Sequence, residues 1–364
     1  MFHSERAARQ QPGTEYGALK SLVSKLVPET RSSSQLTPDE RANLETYLKY
    51  KTVQPHERPQ FMAPSFGPHR RGFVHLPALS GSAGKELDHS ALQGRFDEIE
   101  DVIVKGDRLW SVFTLRAKHV GPLYGQTETG KDLAITEMCC IRFEAGKLAE
   151  GWFLGDEFSI CRQIGIDVAV PHVSVPGAVT LTPTLTAGAA ASASDIAARQ
   201  KPGTDYGKLK SVVARRAPET RSNADLTDEE RTNLACYLTY KTIKPHERPN
   251  YQTSSYKGHR RGIVHLSEFR GTPGLELDHG SLEGRLDEIE DVIVKGDRLW
   301  SAFTLRARHV GPLYGVAPTG NTLEMLEYCV MRFEAGKIAE AWFFGDELGV
   351  CRQLGIPIGI RQGA

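Results

Sequence analysis

The sequence predicts an α+β protein of two tandem domains, each a curved antiparallel sheet packed on helices. Two observations carry this. The chain is one unit written twice, and inside each unit the hydrophobic period changes from helical to strand-like. A length of 364 residues already favours two domains over one.

Shifting the sequence by 190 residues aligns Pro12-Gly13 with Pro202-Gly203. The same shift aligns Pro55-His56-Glu57-Arg58-Pro59 with Pro245-His246-Glu247-Arg248-Pro249, and Cys161-Arg162-Gln163 with Cys351-Arg352-Gln353, without insertion or deletion. From Gln93 to Gly165, 51 of 73 positions match the residue 190 further on. So long a period in only two copies is a duplicated domain and not a solenoid. The expected layout is a first copy over 1–165, a linker over 166–193 rich in Ala, Val, Thr, Pro and Ser, and a second copy over 194–364.

In the first copy, Thr37-Pro38-Asp39-Glu40 is a capping box with proline at the first helical position. Leu44, Tyr47 and Leu48 follow at helical spacing, which predicts a helix over about 38–51. The second copy repeats the device with Thr227, Asp228, Glu230, Leu234, Tyr237 and Leu238. A second helix is expected over 16–27, from Leu19, Leu22, Val23 and Leu26. After about residue 95 the period becomes two. Phe96–Val104 and Leu109–Val120 flank the turn Lys105-Gly106-Asp107, and Leu133–Glu144 and Leu148–Asp156 flank Ala145-Gly146-Lys147. These read as two hairpins.

Forty-five basic and forty-five acidic side chains leave no net charge, which argues against a nucleic-acid partner and a polybasic membrane anchor. No stretch approaches the ~20 apolar residues of a membrane span, and the start lacks a secretory core, so a cytoplasmic address is expected. The six cysteines show no CxxC pair or zinc spacing and read as reduced, buried thiols. GxSxG, Walker and dinucleotide fingerprints are absent from the sequence.

Strand parity places Leu109, Ser111, Phe113, Leu115, Ala117 and His119 on one face. Leu148, Glu150, Trp152, Leu154 and Asp156 share a face of the last strand on the same reasoning. An imidazole and a carboxylate thus each end a mainly apolar row, the usual composition of a ligand pocket.

Gly106-Asp107-Arg108, His119-Val120-Gly121, Thr129-Gly130-Lys131, the run Arg142 to Trp152, Asp156 and Gln163-Ile164-Gly165 together resemble the SnoaL-like polyketide cyclases of the nuclear-transport-factor-2-like superfamily. The resemblance covers about the last 75 residues of each copy. It implies two tandem cone-shaped α+β barrels with an apolar pocket in each. Members commonly pair sheet to sheet, so it also implies an intramolecular pseudo-dimer, with a further homo-oligomer open. Such cyclases close a polyketide ring by intramolecular aldol chemistry with no metal or organic cofactor, using an aspartate as acid/base. By position that aspartate resembles Asp156 and Asp346, and the histidine of the family's Thr-His-Gly stretch resembles His119 and His309, with Lys118 and Arg308 in place of the threonine.

Forming a carbon nucleophile beside a carbonyl needs a proton acceptor and a donor for the enolate oxygen. Asp156 and Asp346 are candidates for the first role, where an apolar pocket would raise the carboxyl pKa. Each also opens a helical segment, where aspartate is a favoured cap. His119 and His309 are candidate donors or packed histidines. Trp152, Trp342, Phe113 and Phe303 are candidate pocket walls or core. Tyr124 and Tyr314 follow Gly-Pro-Leu at a loop expected to cross the pocket mouth. His69-Arg70-Arg71 and His259-Arg260-Arg261 offer an arginine clamp for an acidic ligand, or solvated charge. His56, His69 and His75 lack metal-site spacing, so no metal is expected. Asp97, Glu98, Glu100 and Asp101 are expected to pair with Arg95, Arg116 or Arg142.

The expected function is therefore a cofactor-independent cyclase, isomerase or lyase acting on a hydrophobic, oxygenated small molecule such as a polyketide or terpenoid. The alternatives are a non-catalytic ligand-binding or interaction module, and an epoxide-hydrolase or dehydratase relative; fold alone does not choose among them.

Overall fold

The predicted capping box forms as written, and it does more than start a helix. In α1 (Pro38–Thr52), Thr37 and Glu40 exchange hydrogen bonds between side chain and backbone N–H. The second Glu40 oxygen accepts the Gly106 N–H at 2.9 Å, and Asn43 donates to the Gly106 carbonyl at 3.2 Å. One carboxylate therefore caps the helix and ties it to a hairpin turn 66 residues away. In the second half, α3 (Asp228–Thr242) repeats both contacts through Glu230 and Asn233.

The computed structural model describes residues 36–53, 55–71, 91–166, 226–243, 245–261 and 281–356. The expected helix over 16–27 and nearly all of the expected linker lie outside them. The described residues fall into two units, one within 36–166 and one within 226–356.

After α1, a 3-10 helix (Pro55–Phe61) leads into β1 (Met62–Arg71). Then come β2 (Leu92–Lys105), β3 (Arg108–His119), β4 (Asp132–Glu144), β5 (Lys147–Gly155) and the short α2 (Glu157–Ile164). The sheet order is β1-β5-β4-β3-β2. The second unit repeats it with β6 (Gln252–Arg261), β7 (Leu282–Lys295), β8 (Arg298–His309), β9 (Thr322–Glu334), β10 (Lys337–Gly345) and α4 (Glu347–Gln353). Each unit is thus a curved sheet with few helices, an α+β half-barrel. Both predicted hairpins are present, turning at Gly106 (φ 58°) and at Ala145-Gly146 (φ 49° and 72°). At Gly106 and Gly146 the backbone needs the left-handed region that glycine enters without strain.

One expectation changes: the sheet is mixed. The segment carrying His69, Arg70 and Arg71 is strand β1, parallel to β5. Pro64 and Pro68 are tolerated because this is an edge strand, where a missing N–H breaks no ladder. Among the described residues no helix is long and apolar enough to cross a membrane.

The register assigns the faces, because directly paired residues point the same way. Ile99, Phe113 and Glu137 form one cross-strand row, and Val102, Ser111, Cys139 and Phe153 another. This is the side that α1 covers, since Tyr47 reaches Cys139 and Lys51 reaches Asp97. Ile103, Trp110, Cys140 and Trp152 lie in one row on the opposite face.

Candidate active site

Charge is buried on the α1 side. Asp97, fully shielded from solvent, accepts Lys51 Nζ at 2.8 Å, Arg95 Nε at 3.0 Å and Arg58 at 3.5 Å. Burial alone would raise the Asp97 pKa, but Arg95, Lys51 and Arg58 overcome it and hold the carboxyl far below its ordinary range. Burial lowers the Lys51 pKa against the pull of Asp97. The Lys51 ammonium also sits 3.1 Å from the centre of the Phe113 ring, a cation–π contact out of water. Lys241, Arg248, Arg285, Asp287 and Phe303 repeat the cluster. The Arg95–Asp97 and Arg116–Glu98 pairs were legible in the sequence, whereas Arg142 turns to Glu150 and Glu144. Sequence reasoning passed over Lys51 and Arg58 entirely. Lys51 looks like an ordinary basic residue in the last turn of a helix, and its partner is 46 residues away.

His119 ends β3 on this same side, opposite Leu92, with no solvent exposure. Its Nδ1 receives the Thr129 N–H at 3.3 Å and lies 3.0 Å from the Thr129 hydroxyl. Its Nε2 is buried and makes no hydrogen bond. Burial pushes the His119 pKa down, opposed by the Gly121 backbone and the Glu128 carboxylate. His309 repeats this with Thr319 at 3.2 and 3.1 Å, and again Nε2 makes no hydrogen bond. Pro318 replaces Glu128 in the second half, so there burial is opposed by the Gly311 backbone alone.

Asp156 follows β5 and is 8% exposed. It caps α2, accepting the Ser159 N–H at 3.0 Å, as Asp346 accepts the Gly349 N–H at 2.9 Å. Its own N–H bonds to the Thr136 carbonyl, and the Gln163 amide exchanges hydrogen bonds with the Ala134 backbone at 2.8 and 2.9 Å. So where β5 stops, α2 takes over the edge of β4, which fixes the position of Asp156. Tyr124, in the left-handed region at φ 51°, donates its hydroxyl to Glu157, the residue after Asp156. Tyr314 and Glu347 do the same. The loop after β3 and the start of α2 are thereby joined. Thr136 lies opposite Thr114, five residues along β3 from His119. At about 3.3 Å per residue the backbone anchors of His119 and Asp156 are offset by about 17 Å along the strands, to which the two steps of about 4.8 Å from β3 across β4 to β5 are added.

Two expected wall residues sit elsewhere. Trp152, and with it Leu154 and the Asp156 position that continues β5 opposite Thr136, lies on the face opposite Phe113 and His119, because a bulge between Leu148 and Glu150 breaks the parity of β5. There it stacks on His69 (centroids 5.3 Å) and carries the Arg108 guanidinium at 5.2 Å. Trp342 has the same register and carries Arg298. Phe113 and Phe303 are on the expected side, but the lysine ammonium occupies the face of each ring. The Arg70 backbone pairs with Phe153 and that of Arg260 with Phe343, both in β1-type edge strands. Their side chains lie outside the described residues.

Each half is therefore an α+β domain whose helix-covered sheet face holds buried polar groups. A family model described as SnoaL-like polyketide cyclase matches residues 93–164 and again 283–354. Each matched segment spans its histidine and aspartate. Aklanonic acid methyl ester cyclase AcmA of Streptomyces galilaeus is 35% identical over 77 residues, which is 21% of this chain and 53% of that protein. The match thus spans about half of the relative. Among solved structures, a SnoaL-like protein from Jannaschia sp. CCS1 is 18% identical with a TM-score of 0.31, covering 37% of this chain and 99% of its own. TsrD of Streptomyces laurentii is 22% identical with a TM-score of 0.28, covering 36% and 100%.

Proposed function

We propose that each half closes a ring in an oxygenated, polyketide-like substrate by intramolecular aldol addition. Asp156 or Asp346 removes a proton from the carbon beside a carbonyl, and the Nε2–H of His119 or His309 steadies the enolate oxygen. The enolate carbon then bonds to a second carbonyl carbon, and the alkoxide formed there takes back a proton. Substrate and product are isomers, so no co-reactant is needed. The observation that carries the reading is the same in both halves: a buried imidazole nitrogen without a hydrogen-bond partner, at the end of an apolar row on the helix-covered face. The name of the relative supplies a probe, aklanonic acid methyl ester.

The capping role of Asp156 and Asp346 favours a second reading, a binding module in which these carboxylates only hold helices. Asparagine separates the two, because it caps about as well as aspartate but cannot accept the proton. Turnover of the probe to a product of unchanged mass is measured for wild type, Asp156→Asn, Asp346→Asn and the double variant, alongside fluorescence-detected binding. The expected outcome is a double variant that binds the probe and loses ~10²- to 10⁴-fold in kcat. Unchanged turnover in the double variant overturns the aspartate role. Binding without turnover by the wild type establishes the module, and neither binding nor turnover overturns the substrate class.

A further inference from the structure

We propose that Thr129 and Thr319 are positioning residues that hold His119 and His309 as the neutral tautomer with its proton on Nε2, making each imidazole a hydrogen-bond donor and not a base. This deepens the functional reading above and rests on it for its catalytic meaning, but the tautomer itself stands on geometry alone.

A backbone N–H can only donate. The Thr129 N–H is directed at Nδ1 at 3.3 Å, so Nδ1 presents its lone pair. The Thr129 hydroxyl, 3.0 Å from Nδ1, accepts the Lys131 N–H at 3.4 Å, which leaves its own hydrogen for the ring. Two donors thus converge on one nitrogen. A neutral imidazole carries one proton, which is then on Nε2. The second half repeats every link: Thr319 N–H at 3.2 Å, its hydroxyl at 3.1 Å, and Asn321 N–H donating to that hydroxyl at 3.3 Å.

The turn is built to do this. Gly130 and Gly320 adopt φ 66° and 72°, and their N–H groups bond to the carbonyls of His119 and His309 at 3.0 and 2.9 Å. Around them the halves have diverged. Gln126-Thr127-Glu128 becomes Val316-Ala317-Pro318, and Lys131-Asp132 becomes Asn321-Thr322, yet the Thr-Gly pair is the same in both. On the other side of the ring, Nε2 is buried and makes no hydrogen bond, and the Gly121 backbone draws the imidazole pKa up, as an acceptor of a ring proton does. A buried donor left in that state is costly, and a carbonyl or enolate oxygen of a ligand relieves the cost. Orientation of a functional imidazole through its second nitrogen is a general device.

The test reads the tautomer without substrate. In the full chain labelled with 15N-histidine, long-range 1H–15N spectra distinguish protonated from unprotonated ring nitrogens, and the His119→Asn and His309→Asn variants assign the two rings. The expected wild-type result at pH 7.5 is an unprotonated Nδ1 and a protonated Nε2 for both. Thr129→Val with Thr319→Val keeps side-chain shape and backbone N–H but deletes the hydroxyl. It should lower the tautomer ratio about tenfold, the worth of one hydrogen bond, and Thr→Ser should restore it. A proton on Nδ1 in the wild type, or a ratio unmoved in the valine variants, overturns the proposal. If the valine variants fail to fold, the wild-type and serine spectra still decide. Correct tautomers without turnover of aklanonic acid methyl ester would overturn the reaction and leave the positioning role standing.

Discussion

Replacing Asp97 and Asp287 by asparagine should destabilise both halves severely, since each carboxylate is the hub of a buried cluster. In the first half it takes ion pairs from Lys51, Arg95 and Arg58 at 2.8, 3.0 and 3.5 Å. Breaking a buried ion pair by removing one partner costs about 3–5 kcal/mol, because the other charge stays buried. Lys51 keeps its place on the Phe113 ring, which is worth about 2 kcal/mol out of water, so the lower part of that range is expected. With a urea slope near 2 kcal/mol/M, the midpoint should fall by about 1.5–2 M. Lys51→Met should cost less, since burial already works against that ammonium and the carboxylate keeps two arginines. The pH dependence has a definite sign. The folded pKa of Asp97 lies well below its ordinary 3.8, so its contribution is complete above that value and drains away as pH falls towards the folded pKa. The asparagine variant should lack this acid limb. A midpoint shift below about 0.5 M for the double variant would refute the buried-hub reasoning.

Two further predictions concern local structure. Asp156→Ala should cost about 0.5–2 kcal/mol by removing the cap of α2, read as a lower thermal midpoint, while Asp156→Asn leaves it nearly unchanged. All six cysteines are free and buried, and burial pushes the thiols of Cys139 and Cys329 up to about 11 and about 12. A thiol reagent at pH 8 should therefore find no fast-reacting cysteine in the native chain and six in urea; a single rapid native reaction would contradict the packing of β4 or its neighbours.

What the sequence disclosed was local, and what it hid was not. The capping boxes at Thr37 and Thr227 and the turns at Gly106 and Gly146 each rest on residues within a few positions of one another, and all are present. Strands β1 and β6 escaped because their partners β5 and β10 are reached only through parallel pairing across the domain, and in β1 two prolines further suppress strand propensity. The face of Trp152 was misread for a related reason: one extra residue at the β5 bulge reverses every side chain beyond it, and nothing in the alternation marks it. Asp97 was legible as an ion-pairing residue, but its burial and its union with Lys51 and Arg58 come from tertiary packing. His119 and Asp156 were singled out by their positions at strand ends, while the hydrogen bond between Thr129 and His119 was not anticipated.

The two halves also act as controls for each other. They diverge along β4 against β9: on the helix-covered side Ile135 becomes Met325 and Ile141 becomes Met331. On β5, Gly151 becomes Ala341. A methyl at Gly151 would come within 2.7 Å of the Phe153 ring, so the second half has to seat Phe343 differently. The ion cluster, the Thr-His contact, the Tyr-Glu bond and the aspartate cap are the same in both. If each half works as proposed, identical polar groups beside differently shaped apolar side chains predict one chemistry with two substrate preferences. Asp156→Asn and Asp346→Asn should then leave unequal residual turnover of a single probe, with KM in each variant set by the half left intact. Equal kcat and KM in the two single variants would mean that the altered lining never meets the substrate.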